Sequence, residues 1–423
     1  MKQIINELKA QPVIAWVTIL GTALAIFLIM VVVMLNQVNF VPLAPETNRE
    51  RLIYANRIKT QSTDTTSRMM RSSSVGVKVV DEVFKPLTTP EMISIFDNWT
   101  GSEKVNVTGV PVFDADVKNT DANFFRIYNF TFLAGKPYDE ADVESHLKKA
   151  VINKAMAKHM FKSIEEAVGK EILIAEESYT VIGVVDNVSP VTKYAYSQIW
   201  TPIPYKEPDE NDKYGTGNFA VAMLAADKKD IAKIKDEVKN NMAKYNAALA
   251  SEQLISDMEG GPFTNEEMMY RKAGTSDVSG GKRNQYMLYL ILLLIPAINL
   301  STMTRSRLAA RTGEIGVRRA FGATRSSIIS SIITENMIIT LAGGLIGLIL
   351  SWIFGGLFFH SVYSAGMFVN YQTEFTPGAG TLFAWSTFAY VLIFCFLLNL
   401  ISSGLPAIRA SRINVVDAIN AKK

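Results

Sequence analysis

Four long apolar runs decide what this chain can fold into. A hydrocarbon core about 30 Å thick takes roughly 20 residues of helix to cross, and a helix suits it because lipid offers no partner for open backbone groups. The first run, Val13 to Leu35, contains no charged residue. The second runs from Tyr286 to Met303, the third from Ile328 to Phe359 and the fourth from Thr381 to Leu400. Between the first and second lie about 250 mostly polar residues, enough for an independently folding domain.

Arginine and lysine placement orients these spans, because cationic loops resist translocation. The connection between the second and third runs carries Arg305, Arg307, Arg311, Arg318, Arg319 and Arg325 against one acid, Glu314. The tail adds Arg409, Arg412, Lys422 and Lys423, and the N-terminus Lys2 and Lys9, whereas His360 to Gly380 has neither Lys nor Arg. Both termini and the Arg-rich loop are therefore expected on the cytoplasmic side, with the large domain outside. The expected fold class is a membrane protein with four transmembrane α-helices in a one-plus-three layout and a large mixed α/β extracytoplasmic domain between helices 1 and 2. The expected segments are an interfacial helix (1–12), a first span (13–36), the outer domain (37–284), a second span (285–304) and an inner loop (305–327). A third span (328–359), a short outer loop (360–380), a fourth span (381–405) and an inner tail (406–423) follow.

The net charge of +3 follows from this asymmetry and does not argue for nucleic acid as a partner. The single cysteine, Cys395, lies in the fourth run, so the outer domain uses no disulfide and depends on its core. A cleaved signal peptide is the competing reading of the first run. Its length and the lack of a small-x-small site before Asn36 favour a retained anchor.

In the outer segment, Val38 to about Met70 reads as a polar, extended lead. Val75 to Val83 alternates loosely, Val105 to Phe113 reads as a strand, and Asn123 to Gly135 as an aromatic, strand-like run closing on a glycine turn. Lys149 to Ile152 reads as a buried strand leading into a helix with Met156 and Met160. Ile172–Ala175 and Tyr179–Val185 read as strands separated by a Glu-Glu-Ser turn, 176–178. In 230–250, Ile231, Ile234, Val238, Met242, Tyr245 and Leu249 recur at helical spacing, which predicts an amphipathic helix packed on the core.

The inner loop reads Arg311-Thr-Gly-Glu-Ile-Gly-Val-Arg-Arg-Ala-Phe-Gly-Ala-Thr-Arg325. Thr312 suits an N-cap, Glu314 the positive end of a helix dipole, Arg318 and Arg319 the negative end, and Gly322 the left-handed residue beyond. Glu314 and Arg318 would share one side of this helix, and Gly316, Val317, Ala320 and Phe321 the other. Such a helix suits the grip of a partner protein, and it also suits rest on lipid with its arginines on phosphates.

Glu314 to Arg325 resembles the signature of the FtsX/MacB permease superfamily of ABC transporters. Phe124–Lys136, Tyr179–Val185, Glu335 with Gly343–Gly347, and Gly404–Asn414 are similar to it in the same order along the chain. The resemblance implies that Arg311, Glu314, Ile315, Gly316, Val317, Arg318, Arg319, Ala320, Phe321, Gly322 and Ala323 form a coupling helix that enters a cytoplasmic ABC ATPase subunit. It also implies a bacterial inner-membrane permease that dimerises with a second copy or a homologous permease, with a periplasmic adaptor or outer-membrane channel as further partners. ATP and Mg would sit on the ATPase, with no cofactor on this chain. The macrolide exporters of the family carry a fused N-terminal ATPase, whereas Gly281-Lys282 has Ser276 and Arg283 where a phosphate loop needs Gly and Ser or Thr. A separate ATPase is therefore expected.

Within the membrane, Glu335 is expected either to pair with Arg305 or Arg307, or with Asn299 by a hydrogen bond, or to snorkel to the surface. Gly343, Gly347, Ser351 and Gly355 fall on one helix face at four-residue spacing and are expected to pack helices within the bundle or across a dimer. Pro296 is expected to kink the second span. The acids from Asp139 to Glu144 read as a solvated helix start. None of the three histidines stands in a metal-binding spacing and no nucleophile elbow is present, so the expected protein is a non-catalytic permease subunit. Export or extraction of a substrate on the outer side, including lipoprotein extraction of the LolC/LolE kind, competes with FtsX-like signalling to a cell-wall hydrolase.

Overall fold

The computed structural model describes residues 12–37, 42–64, 66–204, 214–272, 278–310 and 312–364, and in the fourth apolar run 388–390, 392, 393, 396, 397 and 400. The expected N-terminal interfacial helix, most of the short outer loop, the inner tail and its Gly404–Asn414 motif lie outside the described residues. Helices of eight or more residues are α1 Pro12–Gln37, α2 Lys154–Phe161, α3 Asp230–Leu249, α4 Asn265–Lys272, α5 Val278–Ala310, α6 Thr312–Ala320 and α7 Arg325–Ser364. The chain divides into two units, one on Asn39–Val278 and one on the apolar helices.

In the outer unit, strand Phe219–Leu224 pairs antiparallel with Met92–Asp97 on one side and with Leu52–Ala55 on the other. The long strand Val110–Thr120 links two halves. It forms a hairpin with Gly101–Val107, runs parallel to Ile199–Pro202, and meets Met92–Asp97 only at Thr120 opposite Phe96. Each half buries its own core. One gathers Tyr54, Phe96, Phe124, Tyr128, Trp200 and Tyr245; the other gathers Val105, Ile152, Met156, Ile172 and Val181.

The amphipathic period of α3 reads out as expected: Ile234, Val238, Met242, Tyr245 and Leu249 are buried, and Ile231 packs against the same core. Asn241 joins that face because its Nδ2 donates at 3.0 Å to the Val83 carbonyl. That carbonyl belongs to the turn Val80–Phe84, wound with π-type bonding. The strand Lys149–Asn153 runs into α2 as expected, with Asn153 Oδ1 capping Met156 N at 2.8 Å. The hairpin Glu171–Ile174/Glu177–Val185 turns on Ala175 and Glu176, not on the expected 176–178, because two residues at positive φ match strand twist and leave Glu177 and Ser178 paired in the strand.

Four further expectations are corrected. The 38–70 segment is not merely a lead, because Leu52, Ile53 and Tyr54 are fully buried in a strand paired on both edges. Burial on both faces replaces the alternation that would mark a strand. Val77–Phe84 is helical, and it buries Val79, Val80, Val83 and Phe84 together. The strand expected over Val105 to Phe113 is a hairpin that turns after Val107. Phe124–Ile127 is a helical turn whose rings fill the core, and only Phe132–Gly135 is extended. The acids after Pro137 form a helix start, with Asp139 and Asp142 in a reciprocal capping box.

In the second unit, Arg325–Gly355 is, among the described residues, the one helix both long and apolar enough to cross a membrane. Ile19–Met34 is a shorter apolar stretch. Ile26, Ile29 and Met30 of α1 form a small core that also takes Leu292 of α5, Leu348 of α7 and Phe388 of the fourth run. Helix α5 runs well beyond 285–304 at both ends, and Val278–Arg283 forms its first turns.

Candidate functional site

The Arg-rich loop folds as a short helix followed by a tight stop. Helix α6 begins at Thr312 itself, and Arg311 lies outside the described residues, as do the side chains of Thr312 and Glu314. At its far end Gly322 N donates to Arg319 O at 3.1 Å and Ala323 N to Arg318 O at 3.0 Å, with Gly322 at φ +92°. This pair of bonds is the Schellman stop, which satisfies terminal carbonyls through a left-handed residue. Thr324 then starts α7: its Oγ1 accepts from Ser327 N at 3.2 Å.

Packing against α7 fixes which side of α6 faces out. Ile315 is buried against Ile328 and Ile332 of α7, and Gly316 is buried beside it. Val317, Ala320 and Phe321 are exposed, with Phe321 87% accessible. The expected outward group of Gly316, Val317, Ala320 and Phe321 is therefore corrected at Gly316, which turns inward. Arg318, Arg319 and Ala323 are half-buried. The outcome is a knob of exposed apolar surface on a helix pinned from behind, a form suited to a pocket on another protein.

The glycine stripe has a defined partner. A Cβ on Gly343 would fall 3.0 Å from Ile19 O and 2.8 Å from Thr22 Cβ; one on Gly347 would fall 2.7 Å from Ala23 O; one on Gly355, 2.7 Å from Met34 Cε. The small face of α7 is thus filled by α1 of the same chain, and the contacts advance in the same direction along both helices, so the pair is parallel. Phe27 and Phe354 meet edge to face at 5.6 Å, and Ser351 is buried with its Oγ donating to Leu348 O at 2.8 Å. Glu335 is 7% exposed, which removes the snorkelling reading, and Asn336 and Thr340 are buried near it in sequence. The side chains of Asn299, Pro296, Arg305 and Arg307 lie outside the described residues.

The outer unit holds buried charges that no motif announced. Glu46 and Arg49 pair at 2.8 Å, and Glu46 Oε1 accepts from Ala195 N at 3.2 Å. Lys118 donates to Tyr194 O at 3.2 Å, and burial draws its ammonium down to about 8, against the pull of Asp97, Glu46 and Asp116. Burial pushes the Asp121 carboxyl up to about 7 even though it accepts from Ser94, Ile95 and Phe124. Lys118 lies within reach of Asp97, Glu46 and Asp116, acids from three different parts of the sequence. His146 contacts Val143 O and His159 stacks edge-on to Phe113, so each has a structural role.

Comparison with known proteins agrees with this division of the chain. The MacB-like periplasmic core domain family matches residues 15–241 and the FtsX-like permease C-terminal family matches 286–415. The ABC transporter permease YknZ of Bacillus subtilis (strain 168) is 22% identical over 314 residues, covering 72% of this chain and 70% of YknZ. The pyoverdine export ATP-binding/permease protein PvdT of Pseudomonas fluorescens (strain Pf0-1) is 25% identical over 82% of this chain. The macrolide export ATP-binding/permease protein MacB of Pasteurella multocida (strain Pm70) is 24% identical over 73%. The chain spans 49% of that PvdT and 43% of that MacB. The periplasmic region of MacB from Actinobacillus actinomycetemcomitans aligns at 13% identity and a TM-score of 0.33, covering 52% of this chain and 94% of that one. With both halves accounted for, an extracytoplasmic domain of the MacB type and a permease domain of the FtsX type, the chain belongs to the FtsX/MacB superfamily of ABC transporter permeases.

Proposed function

We propose that this permease couples ATP hydrolysis by a separate cytoplasmic ATPase subunit to export or extraction of a substrate on the outer side of the membrane, with α6 as the point of attachment. The observation that carries this reading is the exposed row Val317, Ala320 and Phe321 on a helix held from behind by Ile315 against Ile328. A helix stopped at Gly322 and continued at once by α7 transmits force with little slack, since both ends of the connection are hydrogen-bonded.

The parallel pairing of α1 with α7 supports a one-plus-three span layout in the bacterial inner membrane. Two helices that start on the same side must run in the same direction, as charge placement requires of the first and third spans. In this reading the permease works as a dimer with a second copy or a homologous permease, and ATP and Mg are bound by the ATPase. A periplasmic adaptor or outer-membrane channel completes the export version.

The test is to express the chain with its candidate ATPase and compare wild type with Phe321→Asp and Phe321→Ala. Phe321 is too exposed for its loss to unfold the chain. Co-purification of the ATPase should fall by tenfold or more for Phe321→Asp and less for Phe321→Ala. Equal recovery and equal ATP-driven activity for all three proteins would remove α6 from the coupling role.

A further inference from the structure

The second half of the outer unit closes on itself. Strand Gly101–Val107 pairs with Val110–Thr120, that strand with Ile199–Pro202, and Ile199–Pro202 with Lys149–Asn153. Glu177–Val185 and Glu171–Ile174 follow, and the last pairs back with Gly101–Val107. The result is a six-stranded barrel whose interior holds Val105, Val117, Ile199, Ala150, Val181 and Ile172. Inward positions recur every second residue, so Glu103, Asn119, Thr201, Lys148, Tyr179 and Ile174 continue these six columns to one end of the barrel. A cavity of about 460 Å³ opens at that end and is lined by all six.

Charge pairing narrows what this mouth accepts. Lys148 is held by Glu177 at 2.6 Å, and His146 Nδ1 lies 3.1 Å from the Val143 carbonyl. Glu103, half-buried, has neither a hydrogen bond nor an ion pair among the described residues. Asp97, also half-buried, reaches the cavity from strand Met92–Asp97 of the other half. Its Oδ2 accepts from Asn119 N at 3.1 Å and from Asn119 Nδ2 at 2.8 Å, and its Oδ1 has no donor among the described residues. Burial raises the Asp97 carboxyl against the pull of Asn119 and of Lys118, and Lys118 is shared with Glu46 and Asp116. A cation in the cavity would relieve that cost. Val117, Ile174 and Ile203 also line the cavity, so an apolar stem has surface to cover. Barrel mouths with a few placed polar groups are a regular seat for small ligands.

We infer that the mouth of this barrel binds a small aliphatic ammonium ion, its charged end at Glu103 and Asp97 and its alkyl stem on Val117, Ile174 and Ile203. An anion would meet two carboxylates, and a neutral ligand would leave both without a counter-charge. One carboxylate comes from the barrel and the other from the neighbouring half, so the ligand ties the two halves together. The site makes no use of α6 and stands whether or not that helix is the point of attachment.

The experiment uses the full chain in phosphatidylcholine nanodiscs without ATPase, titrated calorimetrically with n-pentylammonium chloride after subtraction of empty nanodiscs. n-Pentanol, which keeps the stem without the charge, and methylammonium, which keeps the charge without the stem, are the comparison probes. Saturable binding of pentylammonium is expected, weakened about tenfold or more for each comparison probe. Glu103→Gln removes no contact within the protein and should weaken pentylammonium about tenfold while leaving pentanol unchanged. Glu166→Gln, at an exposed acid of the same half outside the cavity, should bind as wild type does. Equal binding of pentylammonium and pentanol, heat no greater than that of empty nanodiscs, an unchanged Kd in Glu103→Gln, or the same weakening in Glu166→Gln would each overturn the assignment. The probe comparison stands on wild-type protein alone, so it holds even where a variant misfolds.

Discussion

Gly347 of α7 lies directly over the carbonyl of Ala23 in α1, so close that a Cβ there would come within 2.7 Å of the oxygen. Backbone cannot yield as a flexible side chain can. Gly347→Leu is therefore expected to part the two helices and lower stability by about 1–3 kcal/mol, the usual range for overpacking. Gly347→Ala should do the same to a smaller degree. Thermal unfolding of the chain in detergent, followed by tryptophan fluorescence, should rank wild type above Ala above Leu. An unchanged midpoint for Leu would mean that the seam is not formed.

Gly322 has open space around it, with nothing within 4 Å of an added Cβ, yet its φ is +92°. Substitution there strains only the backbone, at a cost of about 1 kcal/mol for a left-handed non-glycine residue. Gly322→Val should speed hydrogen exchange at the amides of residues 322 and 323, whereas Gly322→Asn should stay near wild type because Asn tolerates this conformation. Identical exchange in all three would show that the stop after α6 is not closed.

Asn241 sits mid-helix as the donor to Val83 O in the π-wound turn. Asn241→Leu would leave that buried carbonyl open, at a cost of about 1–3 kcal/mol. Denaturant unfolding should show the loss as a lower midpoint at unchanged slope.

Asp121 makes stability depend on pH. Its carboxyl is raised from 3.8 to about 7, so the folded state holds the proton more tightly than the unfolded state does. Its contribution is complete below the unfolded value, shrinks as pH rises through 7 and is flat above. Asp121→Asn cannot titrate and sets an amide nitrogen or oxygen among three donors, so it should be less stable than wild type throughout. The gap should be widest below about pH 4 and narrow by about 2 kcal/mol or more between pH 5 and pH 8. A constant gap across that range would contradict the raised carboxyl.

What could be read from residue order was whatever repeats or punctuates locally. The period of α3, the run from Lys149–Ile152 into α2, the two strands of the 171–185 hairpin and the stop at Gly322 each rest on neighbours within a few positions, where spacing carries the signal. The strand Leu52–Ala55 stayed hidden because it is short and buried on both faces, so it shows no alternation. The inward turn of Gly316 depends on Ile328 and Ile332, which belong to the next helix, and a helical wheel drawn for α6 alone leaves them out. The glycine face of α7 was visible as a face, but its partner, some 320 residues earlier in the chain, was not.

The spacing of that seam limits how α1 and α7 can move past each other. Gly343 meets Ile19 O and Gly347 meets Ala23 O, so notches and teeth share a step of four residues. A slide of half a step would drive side chains into carbonyls. Relative travel along the shared axis is thus indexed, in jumps of about 6 Å set by four residues of helical rise, and any smaller excursion must be a tilt or a roll.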